Sequence, residues 1–125
     1  LHEADPAVFN ALEAGDILFI DSSHILMPGS DVDDLLNRVL PSLPRGVLVH
    51  IHDILLPDPY PADWSWRGYN EQQGVAPLLT SGAWQPLFSS HHVGSRHGDL
   101  LASGIVAALP IQPGARETSL WLVRR

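Results

Sequence analysis

The chain contains no cysteine and no lysine, and it has no long apolar run. Without cysteine there are no disulfides, thiolate metal sites or thiol nucleophiles, so any chemistry must come from oxygen and imidazole groups. No apolar segment approaches the ~20 residues that a membrane-spanning helix needs. These absences are compatible with a cytoplasmic location, which we expect.

Positive charge is also scarce, because seven arginines face fourteen acidic residues and give a formal net charge of −7. Such a charge opposes phosphate backbones and anionic lipids, so we expect neither nucleic acid nor a membrane as a partner. The 125 residues suit a single domain over residues 1–125. The opening "LHEADPAVF" has no initiating methionine and no export signal, which indicates a fragment.

Two apolar segments, residues 17–21 and 46–54, have the character of buried strands. Between them, Ser30 and Asp33 predict the start of a helix that Pro41 ends. Strand, helix and strand in about 40 residues predict a right-handed βαβ unit with parallel strands. Apolar residues on both faces of the first strand predict an α/β fold with helices on both faces of the sheet.

Polar residues follow both predicted strands, and parallel strands end at the same edge of a sheet, where ligands of open α/β sheets bind. These residues are Asp21, Ser22, His24, His52 and Asp53. Neighbouring strands lie ~4.8 Å apart, so carboxylates at both tips can approach one cation. Carboxylates alone favour Mg²⁺ or Ca²⁺, whereas an added histidine favours Mn²⁺, Fe²⁺ or Zn²⁺. The alternative is that these residues only cap turns.

The remaining segments predict three helices, two further strands and a proline-rich loop. A short helix should start at Asp5, and later segments should form a loop over 55–68, a helix over 69–82 and a strand over 84–94. A helix over 98–109, with Leu100, Leu101, Ile105 and Leu109 inward, and a closing strand over 118–125 should follow. His50 should be a packed, hydrogen-bonded core residue. We expect surface positions for His91, His92 and His97, and loop anchors in Trp64, Trp66 and Tyr69.

The blocks "LEAGDILFIDSSH", "GSDVDDLLNRVLPSLPRGVLVHIHDI", "YPADW", "YNEQ" and "SLWLVRR" carry a family resemblance. In this order they closely resemble the carboxyl-terminal half of class I S-adenosylmethionine-dependent methyltransferases, in the group called methyltransferase domain 24. The resemblance implies a partial Rossmann-like methyltransferase sheet. Its fourth and fifth strands would be residues 17–21 and 46–54, and an antiparallel pair would close one edge.

The resemblance also implies a function, namely methyl transfer from S-adenosylmethionine to a small-molecule acceptor, most simply to oxygen. By position, Asp21 and Ser22 would contact the cofactor, and Asp21, His52 and Asp53 would hold a divalent metal. His24 or His52 would serve as the catalytic base. The chain has no G-x-G-x-x-G turn, so it lacks most of the cofactor pocket and should bind the cofactor weakly or not at all.

A half sheet would leave the first strand as an open edge, so we expect either a homo-oligomer or a missing amino-terminal half as the partner. Two other functional interpretations stay open. The chain could be a non-catalytic interaction module derived from a methyltransferase, in which the acidic residues cap loops. It could also be a metal-dependent hydrolase built on the histidine and aspartate cluster.

Overall fold

The computed structural model describes residues 4–110 and 112–125. The strands are β1 Ile17–Ile20, β2 Leu48–Ile51, β3 Trp84–Ser89 and β4 Leu120–Arg124. The α-helices are α1 Ala7–Asn10, α2 Asp31–Asp34, α3 Leu40–Ser42, α4 Glu71–Thr80, α5 Ser90–Arg96, α6 Gly98–Leu101 and α7 Gly104–Ala107. A π-helix, Leu35–Val39, joins α2 to α3, and a 3-10 helix covers Ala62–Arg67.

The four strands form one open mixed sheet in the order β1-β2-β4-β3. β1 runs parallel to β2, whereas β4 is antiparallel to both of its neighbours. Ile20 pairs with Ile51, and the His52 amide donates to the Ile20 carbonyl at 2.9 Å. The predicted parallel pair, the antiparallel closing pair and the mixed α/β character are therefore confirmed.

The helix that was predicted between Ser30 and Pro41, in the connection from β1 to β2, forms over its whole predicted length. The Ser30 hydroxyl accepts a hydrogen bond from the Asp33 amide at 3.1 Å, and the Asp33 carboxylate accepts one from the Gly29 amide at 2.8 Å. The helical turns end at Ser42, one residue after Pro41. Their buried side chains join one core with the inward residues of the strands and of α4, namely Ile20, Leu35, Val39, Leu40, Leu43, Val47, Val49, Ile51, Ile54, Val75, Trp84, Leu120 and Leu122.

One face of β1 is open to solvent. Leu18 and Ile20 point to the core, but Ile17 and Phe19 on the other face are 55% and 61% exposed. The prediction that helices cover β1 on both sides is therefore wrong. The sequence misled here because a strand that is apolar on both faces usually lies inside a parallel sheet, whereas this one is at the edge.

The predicted strand over 84–94 is half strand and half helix. β3 ends at Ser89, whose hydroxyl accepts a hydrogen bond from the His92 amide at 3.3 Å and so caps α5. A serine at an N-cap favours the start of a helix, because its hydroxyl accepts a hydrogen bond from an amide of the first turn that has no other partner in the helix. The strand therefore ends at Ser89. The segment over 55–68, which was predicted as a loop without regular structure, contains the 3-10 helix.

The predicted helix over 98–109 is broken into α6 and α7 by the turn at Ser103 and Gly104, where Gly104 adopts a φ of 73°. Leucines that were predicted to face inward lie outward instead, with Leu100 at 66% and Leu109 at 57% exposure. Ile105 is 82% exposed. A left-handed glycine ends a helix because it reverses the backbone direction.

Two other predicted helices form with different lengths. α1 is shorter than expected, although the Asp5 carboxylate accepts from the Ala7 amide at 2.9 Å near its start. α4 continues to Thr80 in spite of Pro77 inside it. Within residues 4–110 and 112–125, no helix has both the length and the apolar character to cross a bilayer.

The connection from β3 to β4 is closed at its base by two serines. The Ser90 amide donates to the Ser119 carbonyl at 2.9 Å, and the Ser119 amide donates to the Ser90 hydroxyl at 2.8 Å. α5, α6 and α7 thus lie on an excursion that leaves the sheet and returns at the same point.

Candidate functional site

The turns after β1 and β2 have an unusual backbone. His24 and Asp53 adopt φ values of 59° and 54°, in the left-handed region that residues with a side chain seldom occupy. Such conformations persist where the surroundings hold them, and they cluster at functional sites. Here they direct both side chains toward the shared edge of β1 and β2.

The ring of His24 is held from one side by a buried carboxylate. Its Nδ1 lies 2.7 Å from Oε2 of Glu71, which is 1% exposed and is the first residue of α4. The Ser22 hydroxyl donates to the same carboxylate oxygen at 3.0 Å. The amides of Asn70 and Glu71 both donate to the His24 carbonyl, so backbone and side chain together fix α4 against the β1 turn.

On its other side, the His24 ring faces the two strand-end carboxylates. Its Nε2 lies 3.4 Å from Oδ1 of Asp21 and 3.6 Å from Oδ2 of Asp53. Burial of the ring lowers the pKa of His24, but the hydrogen bond and charge of Glu71, with the charges of Asp53 and Asp21, raise this pKa above its ordinary value of 6.5 overall.

His52 has a more exposed position than His24. Its side chain is 40% exposed, and its Nε2 lies 3.5 Å from Oδ1 of Asp53. Asp53 therefore lies between the two candidate bases, and one of its carboxylate oxygens is directed to each. Of these two histidines, His24 has the fixed ring orientation that proton transfer requires.

The predicted metal ligands do not form a metal centre in this arrangement. Among the residues that the structure describes, no three histidine, aspartate or glutamate side chains are grouped so that they could hold a metal ion. The prediction that Asp21, His52 and Asp53 converge on one cation is not supported by their positions. Asp21 and Asp53 instead share the Nε2 side of the His24 ring.

An arginine and aromatic residues from the loop after β2 lie beside this site. The Tyr69 ring is 4.5 Å from the His24 ring, and Arg67 donates to the Tyr69 hydroxyl at 3.1 Å. The Arg67 guanidinium lies 4.5 Å from the Trp64 ring centre and 3.9 Å from Asp53. Trp64 and Tyr69 thus anchor the loop as predicted, whereas Trp66 is 80% exposed and does not.

Asp21 and Ser22 also line a cavity beside β1. Its volume is about 320 Å³, and its other lining residues are Phe9, Leu18, Phe19, Ile20, Asp31 and Leu35. Burial of Asp31 raises its pKa, but hydrogen bonds from the Ser23 hydroxyl and amide outweigh this effect and lower the pKa below its usual value. Asp21 and Ser22, to which the resemblance assigns a cofactor contact, thus both lie in the lining of one cavity.

The other histidines divide between core and surface. His50 is 4% exposed and stacks between Phe19 and Trp121, at 4.6 and 4.8 Å, and burial lowers its pKa. Its packing was predicted correctly, but Nδ1 has no hydrogen-bond partner in the structure. His92 and His97 are exposed as expected, whereas His91 is partly buried and its Nε2 lies 2.9 Å from Asp58.

Two site residues, Glu71 and Arg67, were missed by the analysis of the sequence. Glu71 lies 47 positions after His24, and no short motif joins them. An acidic residue in the first turn of a helix is normally interpreted as a partner of the helix dipole. That interpretation gives no reason to expect Glu71 at the site. The only available signal was "YNEQ" among the resembling blocks.

Comparison with known proteins gives no match to a family model, a curated protein or a solved structure. The resemblance to class I methyltransferases therefore stays a prediction.

Proposed function

We propose that the chain is part of an S-adenosylmethionine-dependent methyltransferase with a Rossmann-like sheet, and that it supplies the side that binds a small methyl acceptor. The observation that carries the proposal is the orientation of His24, whose Nδ1 is held by Glu71 while Nε2 faces the strand tips. The strand order supports it, because a parallel pair followed by an antiparallel pair is what the resemblance implies.

Transfer to a hydroxyl oxygen requires a group that removes the hydroxyl proton, and His24 is suited to this role. Nε2 would accept the proton while Nδ1–H stays on Glu71. The positive charge that then develops on the ring is stabilised by the nearby carboxylates of Glu71, Asp21 and Asp53. When bound, S-adenosylmethionine supplies an electrophilic methyl carbon on a sulfonium sulfur, which keeps the electron pair of the broken bond.

The residues present fit part of this cofactor. The cavity at Asp21 and Ser22 has a volume of about 320 Å³, which is at the lower end of the roughly 300–1,000 Å³ range of small-molecule sites. The lining offers the carboxylates of Asp21 and Asp31 and the hydroxyl of Ser22, all of which can accept hydrogen bonds from a sugar or a base. No metal step is proposed, because the described side chains do not group around a cation.

Titration of the isotope-labelled chain with S-adenosylhomocysteine, followed by NMR, tests the proposal. We expect weak binding, with a Kd of about 1 mM, and chemical-shift changes concentrated at Asp21, Ser22 and Asp31. Asp21→Asn should weaken the binding. Asp63→Asn is the matched control, because it removes an exposed carboxylate that pairs with Arg116 away from the cavity.

Two outcomes contradict this proposal. If shifts appear but lie outside the cavity, the assignment of the cofactor contact to Asp21 and Ser22 is wrong. A submicromolar Kd would instead show that the chain holds a complete cofactor pocket, and its description as the acceptor side would be wrong.

A second candidate is a non-catalytic interaction module, and the open face of β1 favours it, since Ile17 and Phe19 are more than half exposed at a sheet edge. The double variant Asp21→Ala, Asp53→Ala discriminates between the candidates. Loss of S-adenosylhomocysteine binding with unchanged melting supports a methyltransferase site. A lower melting temperature with unchanged binding supports loop caps.

A further inference from the structure

An apolar groove lies between α4, β3 and α5, away from the His24 site. Its volume is about 630 Å³, and its lining is almost wholly apolar: Leu56, Pro57, Ala76, Leu79, Thr80, Pro86, Leu87, Phe88, Ser89, His92, Val93 and Leu120. Two lining side chains, Leu87 and Phe88, are about half exposed. A concave apolar surface of this size is favourable to cover, because burial removes it from water.

The segment over 98–109 has the complementary property. It contains large apolar side chains that are 46–82% exposed, namely Leu100, Ile105, Val106 and Leu109. The structure thus leaves an apolar groove and an apolar segment exposed in the same small chain.

The chain connection brings these two surfaces within reach of each other. α5 forms one wall of the groove through His92 and Val93, and α6 packs against α5. The excursion that carries α6 and α7 is closed at its base by Ser90 and Ser119, next to Leu120 of the groove lining. The amino-terminal end of the segment is therefore joined directly to a wall of the groove.

Only one short turn keeps α6 and α7 from forming a single helix. Gly104 has a φ of 73°, and nothing lies within 4 Å of the position its Cβ would take. Ser103 is extended, with a φ of −139° and a ψ of 165°. If Ser103 and Gly104 both became helical, Leu101, Ile105 and Leu109 would stand at spacings of four and form one apolar stripe. A helix over 98–109 would be about 18 Å long.

We propose that residues 98–109 form a strap that closes over this groove as one helix, with Leu101, Ile105 and Leu109 seated in it. The strap would regulate access to the groove by a change of backbone conformation at Ser103 and Gly104. The proposal does not depend on methyl transfer, because it uses neither His24 nor the strand tips.

Disulfide trapping tests the strap directly, because the chain has no native cysteine. The pair Ile105→Cys, Leu79→Cys places one thiol on the stripe and one in the groove. The matched control is Ser103→Cys, Leu79→Cys, which has nearly the same tether but puts its thiol on the opposite side of the helix. We expect the first pair to form the bond about tenfold faster, since a disulfide requires Cα atoms within about 7 Å.

A glycine substitution supplies a second measurement. Gly104→Ala disfavours the left-handed turn and favours the helix, so it should accelerate disulfide formation in the Ile105 pair. Gly114→Ala is the control, since Gly114 has a similar φ of 79° and open surroundings but lies outside the strap. Equal rates for the two cysteine pairs, or equal effects of the two alanines, would overturn the proposal and leave the groove free for another occupant.

Discussion

The exchange Glu71→Gln tests whether the carboxylate of Glu71 acts on His24 through its charge. Glutamine preserves the volume and can still accept a hydrogen bond from Nδ1–H, so the variant removes charge with little change of shape. Both side chains are almost fully buried, at 4% exposure for His24 and 1% for Glu71. Solvent therefore screens their interaction only slightly.

The expected cost of this exchange is about 2–3 kcal/mol at pH 6. A hydrogen bond to a charged group contributes about 1.5–3 kcal/mol, and removal of one partner from a buried pair costs about 3–5 kcal/mol. The lower range applies here because His24 can release its proton when the carboxylate is gone. Asp63→Asn, which breaks an exposed pair with Arg116, should cost less than about 0.5 kcal/mol.

The pH dependence of this cost has a definite sign. The pKa of His24 is raised in the folded state, so its stabilising effect is fully present below about 6.5 and is lost as pH rises through the folded-state pKa. Urea unfolding at pH 6 and pH 9 should therefore show a smaller cost of Glu71→Gln at pH 9, by about 1 kcal/mol. A cost that is the same at both pH values would refute the assignment of a charge effect to Glu71.

Three further predictions concern other parts of the fold. Gly46→Ala should destabilise the chain by about 1–3 kcal/mol in urea unfolding. Gly46 has a φ of 87°, and a new Cβ would lie 2.6 Å from the Cβ of Ala14. An unchanged midpoint of urea unfolding would contradict this prediction. Phe19→Ser should destabilise the chain by about 0.5–1.5 kcal/mol, because it removes the ring that stacks on His50. It should also reduce self-association in light scattering, since Phe19 is exposed on the edge strand. An unchanged mass at all concentrations argues against edge pairing. Asp58 in the loop after β2 pairs with Arg96 and His91 of α5. Hydrogen bonds from Arg96 and then His91 lower the pKa of Asp58, so this link weakens as pH falls through that lowered value. Asp58→Asn should therefore give, at neutral pH, the faster proteolysis after β2 that we expect of the wild type only in acid, and equal rates for the variant and the wild type would exclude an anchoring role.

The sequence predicted the parts of the fold that depend on local chemistry. The N-cap at Ser30, the strand ends at Asp21 and Asp53, and the last strand all form near the predicted positions. Each follows from periodicity or from a residue that satisfies a backbone group nearby. The parallel direction of β1 and β2 also followed, because a helical crossover leaves few alternatives.

What the sequence could not predict depends on residues far apart in the chain. Glu71 and His24 meet only because α4 docks against the β1 turn, and that docking is decided by packing. The exposure of Phe19 depends on its position at the edge of the sheet, which apolar composition does not reveal. The contact of Asp21 and Asp53 with one imidazole could not be predicted for a similar reason, since spacing cannot show that two carboxylates will share the His24 ring.

The serine pair at the base of the β3–β4 excursion has a practical consequence. Ser89 and Leu120 are paired neighbours in the sheet, so the strand ends are already as close as those of a hairpin. Because the entropy of closing a loop changes only slowly with its length, a tight turn in place of residues 90–117 should keep the sheet pairing and the hydrogen bond from the Ile54 amide to the Thr118 carbonyl. Such a minimal protein would lack the contacts of His91 and Arg96 with Asp58, and it would isolate the strand-tip chemistry for study.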